Sequence, residues 1–248
     1  MEGLSYPHNN IGQALNEAGK IIAESIGIKK LIKNIQPIIN NIAVKTKEAF
    51  DKIPRSLINL TEIGWYVSLN MTAGEINGLA EFVRENNSKS VDKYLMNHFK
   101  ENYISIKKEL INTYSERRKV LNSAFNAHER KDYYASIPLF LSQADGICFN
   151  ITGHELFRRK NKKPITAEMI KEFKEGTFAY IFLQPLTIQG LIRESIDERV
   201  DIKGSINRHS ILHGLNLDYG NEINSYKAIS LINYVSEILI LVQKDKNK

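Results

Sequence analysis

Between residues 207 and 214 the chain reads Asn207-Arg208-His209-Ser210-Ile211-Leu212-His213-Gly214. An arginine, two imidazoles and a carboxamide fall within one short segment. A guanidinium neutralises charge building on a phosphate, and an imidazole moves a proton near neutral pH, so an Arg beside a His suits phosphodiester chemistry. His209 and His213 are four apart and share a helix face, the spacing of a two-His metal pair. A third ligand would have to come from elsewhere, Glu222 or Asp218 being the nearest. Ser210 stands where H-E-x-x-H sites carry their glutamate, so the metal pattern is incomplete. On a regular helix Arg208 and His213 lie about 140° apart and meet on one side only if the helix ends near His213. Gly214 can end it there, and Ser205 can cap it ahead.

Other familiar sites are missing from the sequence. It has no glycine-rich phosphate loop followed by Lys, no G-x-S-x-G elbow, and a single cysteine, Cys148, in an apolar setting that suits a core residue better than a nucleophile. One cysteine gives no disulfide framework, as expected of a reducing cytoplasm. Met1 to Asn10 has Glu2, Pro7 and His8 where a secretory signal would need an apolar run, so no export is expected. The stretch Ala228 to Val242 is apolar but short for a bilayer and carries Asn233 and Glu237. It reads as a buried helix, and no membrane partner is expected. The net charge of +6 is compatible with a polyanionic partner without requiring one.

The elements that position the segment read as helices throughout. Expected helices cover 11–34, 37–51 (ended by Pro54), 57–83 with Ile63, Val67 and Met71 on one stripe, and one or two long helices over 90–130. Further ones are expected over 132–152, 166–182 with Thr166 as cap, 205–213, and 221–243. Trp65 reads as a large core or interface anchor. Glu116-Arg117-Arg118-Lys119 reads first as a solvated helix face, with RNA contact as the lesser alternative. Asp145, amid apolar neighbours, is either on the wet side of its helix or paired with a cation. Gly153 to Pro164 is the clearest loop, and its cations Arg158, Arg159, Lys160, Lys162 and Lys163 form either a mobile solvated loop or a phosphate-contacting flap. No segment alternates with period two, so the fold class is all-α, a helical bundle. Residues 1–130 are expected to pack as a helical region on a C-terminal domain, 131–248.

Arg208-His209-Ser210-Ile211-Leu212-His213 resembles the R-x4-H form of the R-x4–6-H motif of HEPN ribonucleases, including the polar residue after the Arg. The wider chain is similar to a group of bacterial proteins of unassigned function, through Ala135 to Ile147, Asn207 through Gly220, and Glu222 to Ala228. The resemblance implies a metal-independent, cofactor-free endoribonuclease of single-stranded RNA, working as a homodimer in toxin or phage-defence roles, with an antitoxin or regulatory partner. It would make Arg208 and His213 catalytic. His209 and Asn207 would orient phosphate or the catalytic His, with Asp145 and Tyr219 in support. Some such proteins carry a Tyr two places after the motif His. Here that place is Leu215, and the nearest is Tyr219. The other class open to the sequence is a non-catalytic helical binding or assembly module, with Arg208 and His213 paired to carboxylates such as Asp145 or Asp218. Dimerisation is also expected from the last helix, whose Ile229, Leu231, Ile232, Leu239, Ile240 and Leu241 exceed one narrow apolar stripe. The alternative is that the N-terminal part covers those faces.

Overall fold

The computed structural model describes residues 47–161, 163–193 and 204–246, with scattered residues before 47. The first expected helix and most of the second lie outside the described residues. The chain divides into two compact units, Met1–Phe50 and Asp51–Lys248. The second unit is all-α: α1 (51–62), α2 (Ala73–Arg84), α3 (Ser88–Glu101), α4 (Tyr103–Thr113), α5 (Arg118–Glu129), α6 (Tyr133–Thr152), α7 (Phe178–Leu183), α8 (Arg208–Leu212) and α9 (Glu222–Lys246). A two-residue hairpin pairs β1 (Arg159–Lys160) with β2 (Lys163–Pro164).

The centre is α9. It packs chiefly on α6, and α3, α4 and α7 cover its other sides. By length and composition α9 could cross a membrane, but 83% of its most apolar window is buried inside the fold. Ile229, Leu231, Ile232 and Leu239 are all sealed within the chain. Most of its apolar surface is therefore met by neighbouring helices of the same chain, while Leu241 stays exposed. Asn221 caps the helix, its Oδ1 accepting the Asn224 amide at 2.9 Å.

The expected helix over 57–83 is interrupted. Gly64, at φ +86°, ends α1, and residues 65–68 cross the core without helical hydrogen bonds. The Trp65 amide donates back to the Leu60 carbonyl (3.0 Å), and α9 meets the next part of the backbone: the Tyr66 amide donates to Ser230 Oγ (3.3 Å) and the adjoining Leu69 amide to Glu237 Oε2 (3.0 Å). Trp65, Tyr66 and Val67 are buried because an extended segment runs between helices, not because they share a helix stripe. Trp65 stacks on Phe99 and donates to Asp92 (2.7 Å), which also pairs with Lys227 at 3.1 Å. Pro54 lies inside a helical stretch instead of ending one. The region 90–130 forms three helices, broken at Asn102 and at a 3-10 turn over Ser115–Arg117, although its apolar positions Val91, Leu95, Phe99, Ile106, Leu110, Tyr114 and Leu121 are all buried as the periodicity requires. Thr166 caps no helix. It lies in a 3-10 stretch, Ile165–Glu172, and its buried hydroxyl donates to the Leu186 carbonyl.

Helix α6 has Asp132 as cap and ends at Gly153 in the left-handed region. Pro138 sits inside it. Proline has no amide to donate to the carbonyl four residues back, which frees the Tyr134 oxygen. The Tyr219 hydroxyl donates to that oxygen at 2.9 Å.

A polar network crosses α5, α6 and α9: His128 Nδ1 lies 2.8 Å from Ser225 Oγ, which is 3.0 Å from Ser136 Oγ. Burial pushes the His128 imidazole down to about 4, against the opposing pull of Glu222 and Glu129. The unfolded chain, with an ordinary value of about 6.5, takes up the proton first. This contribution to stability is therefore complete above the unfolded value and is lost as pH falls toward the folded one. Between about pH 7.5 and pH 5 the loss should be about 2 kcal/mol. Thermal melting across that range should show wild type falling more steeply than His128→Gln. Parallel curves would contradict the assignment.

Candidate functional site

The site helix α8 has only five residues, Arg208–Leu212, with His213 as its C-cap. Its N-cap is Asn207 and not Ser205, which is buried just upstream. Asn207 Oδ1 accepts from the amide (3.0 Å) and the hydroxyl (3.1 Å) of Ser210, and its Nδ2 donates to the Leu191 carbonyl at 3.2 Å. Its carboxamide is thus buried and engaged in holding the helix.

Asparagines fasten the chain on either side of α8. Asn216 Nδ2 donates to the Ser205 carbonyl (2.8 Å), and Asn224 Nδ2 donates to Gly204 (2.8 Å) and Tyr219 (2.9 Å). Tyr219 closes the loop onto α6 through Tyr134, edge-on to its ring. Tyr219 thus supports the segment from the outside of the loop. The short helix is held by buried amide contacts and by α6, so its side chains project from a fixed base.

Arg208 leans from α8 toward α6. Its Nη2 is 3.8 Å from Asp145 Oδ2, and its guanidinium lies over the Phe157 ring at 5.2 Å. Both partners keep some exposure, 30% for the Arg208 side chain and 22% for Asp145. Asp145 thus faces a cation and a wet cleft together, where the sequence leaves the two as alternatives. Burial raises the Asp145 carboxyl above its ordinary range, opposed by the Phe157 amide, Arg208 and the Leu156 amide. The Phe157 amide donates to its other oxygen at 3.4 Å.

Arg208 opens onto a cleft of about 400 Å³ between α6, α8 and the turn before α5. Its walls include Arg117, Ser142, Asp145, Asn150, Glu155 and Arg208. The sequence places Arg117 on a solvated face, yet its side chain is only 18% exposed and arches over α6 at Gly146. Its Nη1 donates to Gln143 Oε1 at 3.0 Å. The signal for this in the sequence is Gly146 itself: a glycine in the interior of a helix weakens it, unless something must come close.

His213 does not line this cleft. It is exposed, its ring 4.3 Å from that of His209, which is half-buried. The structure thus brings Arg208 and Asp145 together and pairs the two histidines, with the catalytic pair expected from the motif pointing from different sides of a five-residue helix. Among the described residues no group of three His, Cys, Asp or Glu is placed to hold a metal ion. The thiol of Cys148 is sealed in the core and pushed up to about 11 by burial, which leaves it protonated at neutral pH.

The basic loop is a tight hairpin with Asn161 at its tip in the left-handed region. Arg158, Lys160 and Lys163 are exposed, Arg159 is half-buried, and Lys162 lies outside the described residues. Arg158 pairs with Glu155 at 3.4 Å on the rim of the cleft. The hairpin begins shortly after Phe157, on which Arg208 rests.

Another arginine, not singled out by the sequence, is wholly structural. Arg193 is buried and donates to the carbonyls of Leu186 and Leu156 (the latter at 2.5 Å) and to Thr166 Oγ1 at 3.1 Å. Burial pulls its basicity down. It ties the segment before α8 to the segment after α6, and Arg208's own amide donates to Ile192 next to it at 2.9 Å. Comparison with models of protein families, with curated proteins and with solved structures finds no match to this chain.

Proposed function

We propose that this protein is a metal-independent endoribonuclease that cleaves single-stranded RNA through Arg208 and His213. The observation that carries the reading is the setting of Arg208. It is held from below by Phe157 and from one side by Asp145, and it opens onto a cleft instead of being sealed in a buried ion pair. In the reaction the 2′-hydroxyl attacks the adjacent phosphorus and the 5′-oxygen leaves, giving a 2′,3′-cyclic phosphate and a 5′-hydroxyl end. Arg208 stabilises the charged phosphorane, and His213, exposed at the end of α8, moves the proton. Stacking beside His213 gives His209 a positioning part. Arg158, Arg159, Lys160, Lys162 and Lys163 contact flanking phosphates. The protein acts in the cytoplasm as a toxin or phage-defence effector, under the control of an antitoxin or regulatory partner.

One copy separates Arg208 from His213, so the complete site takes a second copy, with two α8 segments facing across a shared cleft. Exposed Leu215 and Leu217, shortly after His213, give such a contact apolar surface. Light scattering at micromolar concentration should give a dimer, and Leu215→Glu with Leu217→Glu should give a monomer of greatly reduced activity. A wild-type monomer that cleaves RNA would remove the composite site.

The Arg208–Asp145 pair favours a second reading, a helical binding or assembly module in which that pair is structural. Incubation of purified protein with single-stranded RNA in EDTA separates the two. Cleavage by wild type and none by Arg208→Ala/His213→Ala supports the nuclease. Equal cleavage by both proteins sinks it.

A further inference from the structure

We infer that Arg117, which lines the same cleft as Arg208, is a second phosphate-binding residue, so that a backbone phosphate of single-stranded RNA is taken by Arg117 and Arg208 together. The inference rests on the reading of the protein as one that acts on RNA. Four observations carry it.

Both guanidiniums line the same cleft, which is of a size to admit a phosphodiester group. Each has its Nε buried without a hydrogen-bond partner, which leaves the terminal nitrogens to serve a ligand in the cleft. Neither carboxylate beside them is within hydrogen-bonding distance: Asp145 Oδ2 lies 3.8 Å from Arg208 Nη2 and Glu116 Oε1 lies 3.8 Å from Arg117 Nε, while Glu155 pairs with Arg158.

The fourth observation is the seat of Arg117. A Cβ on Gly146 would stand 2.5 Å from its Nη1 and 2.9 Å from its Nη2. The guanidinium therefore sits close against α6 at Gly146, and any side chain there would displace it. A charge that merely sought water would not need to be laid against a helix backbone at a cleft wall. Gln143 fixes its remaining direction from the same helix. Two planar donors in one cleft, each held by its own support, suit a phosphate with several acceptor oxygens.

Gly146 also supplies a variant that tests the inference without deleting the arginine. Gly146→Ala displaces the guanidinium, the flexible end of its side chain, while alanine favours the helix. It should melt at or above the wild-type temperature. Binding is read by fluorescence anisotropy with a single-stranded oligonucleotide bearing 2′-O-methyl groups, which cannot be cut, over a series of salt concentrations. Arg117→Ala and Gly146→Ala should each weaken binding about tenfold and reduce the slope of log affinity against log salt by about 0.7, the loss of one phosphate contact. Arg117→Lys should recover the slope more than the affinity, because charge is restored without the planar fork.

Unchanged affinity and slope in both variants would overturn the inference, as would a wild type that does not bind the oligonucleotide. A wild type that binds with the expected variant effects but cuts no unmodified RNA would overturn the nuclease reading and leave Arg117 as a phosphate contact.

Discussion

Arg208→Ala is expected to lower kcat/KM on single-stranded RNA by about 10²- to 10³-fold, the usual loss when a preorganised donor to a developing oxyanion is removed. His213→Ala is expected to lower it by about 10²- to 10⁴-fold, as for loss of a general acid or base. Because both act on one transition state, the double variant should fall little further than the worse single one. Arg208→Lys should remain strongly impaired, since a point charge does not reproduce the flat guanidinium resting on Phe157. None of these changes should unfold the protein. His213 is exposed, and a partly exposed pair such as Arg208–Asp145 contributes about 0–1 kcal/mol. Melting temperatures within a few degrees of wild type are the necessary control. A large drop in melting temperature with no change in cleavage would place both residues in the scaffold.

The largest effect on stability is expected at Trp65. Its ring is fully buried, stacks on Phe99 with centroids 5.9 Å apart, and lies under the Lys227 ammonium at 5.6 Å. Its Nε1 donates to Asp92, the carboxylate that holds Lys227 in the core. Burial lowers the basicity of that lysine, and Asp92 opposes the shift. Trp65→Ala opens a cavity beneath three elements and loosens this pair as well. The cost should be about 4 kcal/mol, or about 10 °C in Tm for a unit of this size. Trp65→Phe keeps most of the packing and loses the donor, and about 1–2 kcal/mol is expected. Thermal and denaturant melts of both variants give the comparison. Near-equal stability of Trp65→Ala and wild type would mean that the 65–68 crossing is not part of the core.

How much of the fold and the site is legible in the sequence depends on where the determining contacts lie. Helices α6 and α9 can be read because their signals are local: Asp132 and Gly153 bound one, and a run of apolar spacings of three and four marks the other. The 65–68 crossing cannot. Its apolar residues mimic helical spacing, while what holds it extended is Ser230 and Glu237, more than 160 positions further on in the chain. Breadth of apolar surface on α9 is visible, but not what covers it, since α3, α4 and α7 are distant in sequence. The same limit applies at the site. The Arg208–His213 spacing is local, and the need for the helix to end at His213 follows from it. Asn207 looks like a candidate for chemistry because a carboxamide serves capping and substrate contact equally well, and only its bonds to Ser210 and Leu191 decide. Arg117 looks like one more solvated cation because nothing local tells where its side chain goes. Only Gly146, on another helix, records the approach.

The central claim is tested most directly by the ends of the RNA it produces. Wild-type protein incubated with a single-stranded RNA in EDTA should leave 2′,3′-cyclic phosphate and 5′-hydroxyl termini, read by mass spectrometry, and Arg208→Ala/His213→Ala protein should leave the RNA intact. Cleavage that yields 3′-hydroxyl and 5′-phosphate ends, or the same cyclic ends from the double variant, would contradict it.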